Sequence, residues 1–240
     1  SGTDLRQTEI ASLMSSPNLP FDAIAIDGPA ASGKSTVARV LAERLNLVMV
    51  NSGEMYRAVT LAVVQQGVDP CDPIAVANLV KTIKLRCVVE NGGSQILLDG
   101  EYPGNALRSD DVNAAVSAVA AVPEVRHLLV ALQRELLQYG DLVMEGRDIG
   151  SVVFPATPYK IYIEASEEVR RQRCAAEGQM DSVGDRDRQD SARKTSPLVV
   201  PDGAEVIDSS QMVIEKVVEA VLGVLGARGW FDRESERNLP

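Results

Sequence analysis

The chain has 240 residues, 45% of them hydrophobic, with 34 acidic side chains against 24 Lys and Arg and a net charge of -10. A chain of this length and apolar content can bury one sizeable core, which excludes a disordered polypeptide and makes one globular α/β unit the first expectation. The acidic balance, with no basic stripe, argues against nucleic acid as a partner. No stretch approaches the roughly 20 apolar residues that cross a bilayer, so no membrane is expected either.

Ser1 to Pro20 lacks the basic-then-apolar order of a signal peptide, and residues 1–19 read as a flexible leader. Cys71, Cys87 and Cys174 have no metal-ligand spacing and His127 is the lone histidine, so zinc is not expected and a reducing cytoplasm fits best.

Ala23 to Asp27 is a short apolar run of the kind found in a buried parallel strand. It leads into Gly28-Pro29-Ala30-Ala31-Ser32-Gly33-Lys34-Ser35-Thr36, which fits the pattern Gly, four residues, Gly-Lys-Ser/Thr, and then into a helical pattern over Lys34 to Leu45. Glycines let the backbone wrap closely around an anion, successive N–H groups face it, and the helix adds its positive end. In such a phosphate loop Lys34 bridges the β- and γ-phosphates of a nucleoside triphosphate, and Ser35 offers a hydroxyl to Mg2+. GTPases, motor ATPases and small-molecule kinases all use this loop. The chain has no Asn-Lys-x-Asp sequence to read guanine and is short for a motor, which favours a small kinase.

Leu47 to Val50 predicts a second strand, followed by the polar turn Asn51-Ser52-Gly53-Glu54-Met55-Tyr56-Arg57 and a helix over Glu54 to Gln66. The alternation then breaks. Residues 67–112 read as an inserted lobe, with a short helical stretch and a hairpin of Lys84 to Glu90 and Gln95 to Leu98 around Asn91-Gly92-Gly93. A long helix is expected over Asn113 to Tyr139, then a strand over Leu142 to Glu145 that ends in Glu145-Gly146-Arg147-Asp148-Ile149-Gly150. A strand over Lys160 to Glu164 and a helix over Glu167 to Glu177 follow.

Gly178 to Leu198 is polar and charged and reads as a flap, in which Arg186, Asp190 and Arg193 share one helical face. Glu205 to Asp208 and Gln211 to Leu225 supply the last strand and helix, and residues 229–240 read as a fraying tail. The expected architecture is a five-stranded parallel sheet flanked by helices, in the α/β class. Its core comprises residues 20–66 and 113–228, with a lid at about 174–196.

Through IDGPAASGKST, NSGEMYR, EGRDIGSVVFP, DRDRQDSARKTSPL and EVIDSS, the chain resembles the bacterial cytidylate kinases from Ala23 to about Leu225. The resemblance implies a P-loop core of the adenylate kinase type, an insert that binds the nucleoside monophosphate, and a lid that closes over ATP. It implies transfer of the γ-phosphate of ATP, carried with Mg2+, to CMP or dCMP by a monomer. Carried over by position, it implies Lys34, Arg147 and Arg193 as the catalytic cations, with Gly28 to Thr36, Arg170 and Arg173 on the ATP side. Ser52, Arg57, Arg147 and Arg193 would hold the acceptor's phosphate, and Arg186 and Asp190 would lie near its sugar. Ser117, Arg126 and Asp148 would face the cytosine edge, with Arg108 in the insert.

The chain departs from the family pattern at four places and in a segment between Arg173 and Arg186 that is shorter than in most relatives. Asn51 and Glu54 stand where Asp and a small residue are usual, Glu145 replaces a common Asp, and Arg173-Cys174 stands where an Arg pair is usual. From the residues alone Asp148 could also be a turn carboxylate or a Mg2+ acid. The loop alone would equally suit a kinase of AMP, UMP, shikimate or gluconate, or a nucleotide-switched binding protein.

Overall fold

The computed structural model describes residues 21–176 and 198–233. In chain order the elements are β1 (Ala23–Asp27), α1 (Lys34–Leu45), β2 (Val48–Asn51), α2 (Ser52–Gln65), α3 (Pro73–Val80), β3 (Leu85–Glu90), β4 (Gly93–Leu98), α4 (Asp110–Val119), α5 (Pro123–Glu135), β5 (Leu142–Gly146), β6 (Lys160–Glu164), α6 (Glu167–Ala176), β7 (Glu205–Asp208) and α7 (Ile214–Ala227). Most of the expected flap, with Arg186, Asp190 and Arg193, lies outside the described residues, as does the leader.

β1 is buried along its whole length, and its side chains alternate between two apolar layers. Ile24 and Ile26 pack with Val37 and Leu41 of α1 and with Val217, Val221 and Leu225 of α7. Ala23 and Ala25 face the other way, toward Val50, Leu136, Leu142 and Met144. Burying each isoleucine contributes about 1.5–3 kcal/mol. A third cluster joins α2, α3, α4 and α5 to Ile96 and Leu98 of β4.

The sheet runs β3-β4-β2-β5-β1-β6-β7, so it has seven strands rather than the expected five. The five strands expected are present and parallel, and the two extra are the hairpin, which continues the sheet beyond β2 with β4 parallel to it and β3 antiparallel at the edge. Asn91 and Gly92 both adopt positive φ (51° and 76°), as a two-residue primed turn requires. Gly93 therefore begins β4 rather than completing the turn. The Met49 amide then donates to the Gly92 carbonyl at 2.8 Å, and Met49 pairs with Gly93 in parallel register. This pairing covers an edge that β2 would otherwise leave open.

The single long helix expected over Asn113 to Tyr139 is two helices bent by 98°. Pro123 occupies the first turn of α5 and Val122 before it is extended (φ -72°, ψ 124°). Proline disfavours a helical residue before it and lacks the N–H needed to continue α4. α4 starts earlier than expected because the Ser109 hydroxyl accepts from the Val112 amide as an N-cap. Among the described residues no single helix is long and apolar enough to cross a membrane.

The tail expected to fray from Gly229 is anchored over its first residues. Trp230 is buried edge-to-face on Tyr159, with ring centroids 4.8 Å apart. Arg233 pairs with Asp22 at 2.9 Å and Asp141 at 3.0 Å.

Parallel register brings the carboxyl ends of three strands together. Asp27 lies beside Gly146, and Asn51 beside Glu145. Ligands of open α/β sheets bind at such an end, where the strand order reverses.

Candidate active site

The turn from β1 into α1 can be made only with glycine at its first position. A Cβ on Gly28 (φ 149°) would sit 2.0 Å from the Ile163 carbonyl oxygen. Ala31 (φ 56°) and Gly33 (φ 94°) are also left-handed, a backbone alternation that turns successive N–H groups to one side. The Lys34 ammonium donates to the Pro29 carbonyl at 2.7 Å, inside the loop.

The outer surface of the loop is held by guanidinium groups. Arg170 of α6 donates to Ala30 O at 3.3 Å, and Arg173 donates to Ala31 O at 3.3 Å and to Ser209 O at 3.0 Å. The Ser209 hydroxyl in turn donates to Ser32 O at 2.9 Å. Arg147 donates to Gly28 O at 2.9 Å. Carbonyls facing outward onto cations leave the amides facing inward. Arg171, between these arginines, is exposed and pairs with Glu167 on its own helix at 2.6 Å.

A cavity of about 260 Å³ opens beside this loop. It is lined by Ala30, Ala31, Lys34 and Ser35 from the loop, Ser52 and Arg57 from α2, Arg108, Ser117 of α4, Arg126 of α5, and Arg147 and Asp148 after β5. All of these were singled out from the sequence. Gly28, Pro29, Ser32, Gly33, Thr36, Arg170 and Arg173 support the loop without lining this cavity. Five cationic side chains face three acidic ones, Glu54, Glu145 and Asp148, so this corner of an acidic protein is suited to anions.

Each cation is held by a defined partner. Arg57 donates to Leu107 O at 3.0 Å and to Asn113 Oδ1 at 2.6 Å. Arg126 is buried and pairs with the equally buried Asp148; it also donates to Ala120 O at 3.1 Å, the carbonyl left open where α4 ends. Tyr56 lies beneath the Arg126 guanidinium, 5.4 Å from the ring centroid. Arg108 is mostly exposed and reaches Glu54 at 3.8 Å.

Of the cavity's three acids, sequence reasoning assigned a role to Asp148 but not to Glu54 or Glu145. The Ser35 hydroxyl donates to Glu145 Oε1 at 2.8 Å, and the Ser52 hydroxyl donates to the Glu145 carbonyl at 2.8 Å. Asn51 and Glu54 have a local explanation. The Asn51 side chain accepts from the Glu54 amide as the N-cap of α2, and Glu54 places a carboxylate three residues on in the first turn, the spacing of a capping box. Burial pushes the Glu54 carboxyl above its ordinary range; Arg108 opposes that rise and Glu145 adds to it. The signal for Asn51 and Glu54 was thus present in the sequence as a helix start.

A family model described as cytidylate kinase matches residues 24–226. A cytidylate kinase of Rhodococcus opacus is 43% identical over 217 residues, covering 85% of this chain and 95% of that protein. One from Pelotomaculum thermopropionicum is 43% identical over 220 residues, covering 86% and 97%. One from Limosilactobacillus reuteri is 41% identical over 214 residues, covering 84% and 94%. The matched stretch runs from β1 into α7 and so spans every residue of the phosphate loop and the cavity: the chain belongs to the cytidylate kinase family.

Proposed function

We propose that the protein transfers the γ-phosphate of ATP directly to CMP or dCMP, giving ADP and CDP or dCDP. The observation that carries this reading is that the phosphate loop and the buried Arg126–Asp148 pair open onto one cavity. One end suits a triphosphate, and the other offers a carboxylate and a guanidinium to the polar edge of a base.

The acceptor is itself a phosphate, whose second pKa near 6 leaves an ionised oxygen at neutral pH, so no general base is needed. Catalysis then consists of placing the two phosphates in line and neutralising their charge. Lys34 serves the β- and γ-phosphates. Ser52, Arg57 and Arg147 serve the acceptor's phosphate, with Arg108 at the rim. Ser117, Arg126 and Asp148 read the base. Arg193 near the phosphate, and Arg186 and Asp190 near the sugar, are assigned by family resemblance alone.

Mg2+ takes hard oxygen ligands and keeps several waters. The hydrogen-bonded Ser35 hydroxyl and Glu145 carboxylate, next to the phosphate loop, fit that preference and would hold the ion. The bound ion would neutralise charge on the β- and γ-phosphates. Cys71, Cys87 and Cys174 form no disulfide, which is in keeping with a cytoplasmic enzyme.

The test is a panel of acceptors with MgATP, read as ADP release. CMP or dCMP should be turned over with a kcat/KM far above those for AMP, UMP, shikimate and gluconate. Equal or greater turnover of another acceptor would overturn the assignment.

A further inference from the structure

We infer that Asp27 is a positioning residue for phosphoryl transfer, its two carboxylate oxygens holding the Arg147-Asp148 loop in register with the phosphate loop. The inference rests on the ATP-to-CMP transfer proposed above.

Asp27 is the last residue of β1, lies beside Gly146 of β5 and is completely buried. Its Oδ1 accepts from the Ile149 amide and its Oδ2 from the Gly150 amide, both at 2.7 Å. These amides immediately follow Arg147 and Asp148 and open the π-helical turn Ile149–Val153, whose first N–H groups have no partner within the turn. A second link runs the opposite way, from the Arg147 guanidinium to Gly28 O at 2.9 Å. Asp27 and Gly28 are consecutive, so the donor's loop and the acceptor's loop are joined at adjacent residues by two contacts of opposite polarity.

A single acceptor would suffice merely to cap a turn, and Ser or Asn could provide it. Two amides side by side need two acceptor atoms, which only a carboxylate places on one short side chain. Asn would keep one of these hydrogen bonds and turn an N–H toward the other amide. The loop would then shift at the residues that meet the acceptor nucleotide, while the loop amides and Lys34 that meet ATP stay in place.

The experiment compares wild type, Asp27→Asn and Gly150→Ala in steady-state kinetics with MgATP and CMP, together with thermal unfolding. A Cβ on Gly150 would sit 3.1 Å from Asp27 Oδ2 and 3.2 Å from Lys160 Cγ and Pro201 Cγ, and so presses on the clamp from its other side. Asp27→Asn should lower kcat/KM for CMP by roughly 10- to 100-fold, leave KM for ATP within about threefold, and leave Tm within a few degrees of wild type. Gly150→Ala should show the same selective loss, and the double variant should lose less than the product of the two. Unchanged CMP kinetics in Asp27→Asn would overturn the inference. So would parallel losses in CMP kinetics, ATP kinetics and Tm, which would indicate a structural residue only. A wild-type enzyme inert toward CMP would overturn the transfer reading, and this inference with it.

Discussion

The hydroxyl of Ser35, in the first turn of α1, donates a 2.8 Å hydrogen bond to Glu145 Oε1 at the end of β5, so the phosphate loop and the central strand share one acid. Glu145 is 6% exposed and Ser35 faces solvent at the cavity, which leaves the pair open to a cation. Replacing the carboxylate with an amide would keep the hydrogen bond and remove the charge. Glu145→Gln should therefore raise the Mg2+ concentration for half-maximal activity several-fold without lowering Tm. A Mg2+ titration of activity at fixed ATP and CMP checks this, and an unchanged midpoint would remove Glu145 from the cation site.

Lys34 is buried, and its ammonium rests on the Pro29 carbonyl, within the loop it would serve. The loop's shape does not depend on that contact, because Arg147, Arg170 and Arg173 hold the carbonyls of Gly28, Ala30 and Ala31 from outside. Lys34→Ala should thus lower kcat by ~10²–10³-fold or more while Tm stays close to wild type. ADP release and a melting curve on the same preparation check both halves.

Arg126 and Asp148 are almost wholly buried, with side-chain exposures of 3% and 5%. Truncating one partner leaves the other as an uncompensated buried charge, at about 3–5 kcal/mol. Asp148→Ala should lower unfolding stability by that order in a urea titration. Asp148→Asn keeps the shape and should cost less stability, while still lowering the kcat/KM preference for CMP over UMP. A preserved preference in Asp148→Asn would show that the pair braces α5 without reading the base.

What could be read from the sequence was what is local. The phosphate loop is a contiguous run from Gly28 to Thr36 between a strand and a helix, so its chemistry was legible before any fold. The break at Pro123 is equally local, but the apolar periodicity runs on across it from Asn113 to Tyr139 and reads as one helix. The Met49–Gly93 pairing that gives the sheet its extra strands depends on where a distant hairpin lands. Arg170 and Arg173 were legible as an anion-facing pair by resemblance, but their grip on Ala30 O and Ala31 O follows from α6 packing against the loop. The Asp27 clamp joins residues more than a hundred positions apart, and an Asp at a strand end carries no sign of which amides it will meet.

Asp27 also makes stability depend on pH. Burial is the largest cause that pushes its carboxyl from 3.8 up to about 6; the Gly150 and Ile149 amides oppose the rise, Asp148 adds to it, and Lys34 opposes it. Arg147 in the same loop, Glu145 on β5 and Lys160 on β6 are the other charged groups around it. Because the folded state holds this proton more tightly than the unfolded chain, stability from this group is fully present below pH 3.8 and is lost as pH rises through about 6. The loss amounts to about 3 kcal/mol. Asp27→Asn cannot titrate, so in urea unfolding the wild type should lose about that much relative to the variant between about pH 4 and pH 7. A pH-independent difference would contradict the burial argument. The same ionisation that lowers stability frees both oxygens to accept the Ile149 and Gly150 amides. KM for CMP should therefore fall through about pH 6 in the wild type by more than it falls in Asp27→Asn, where the acceptor's own phosphate still titrates.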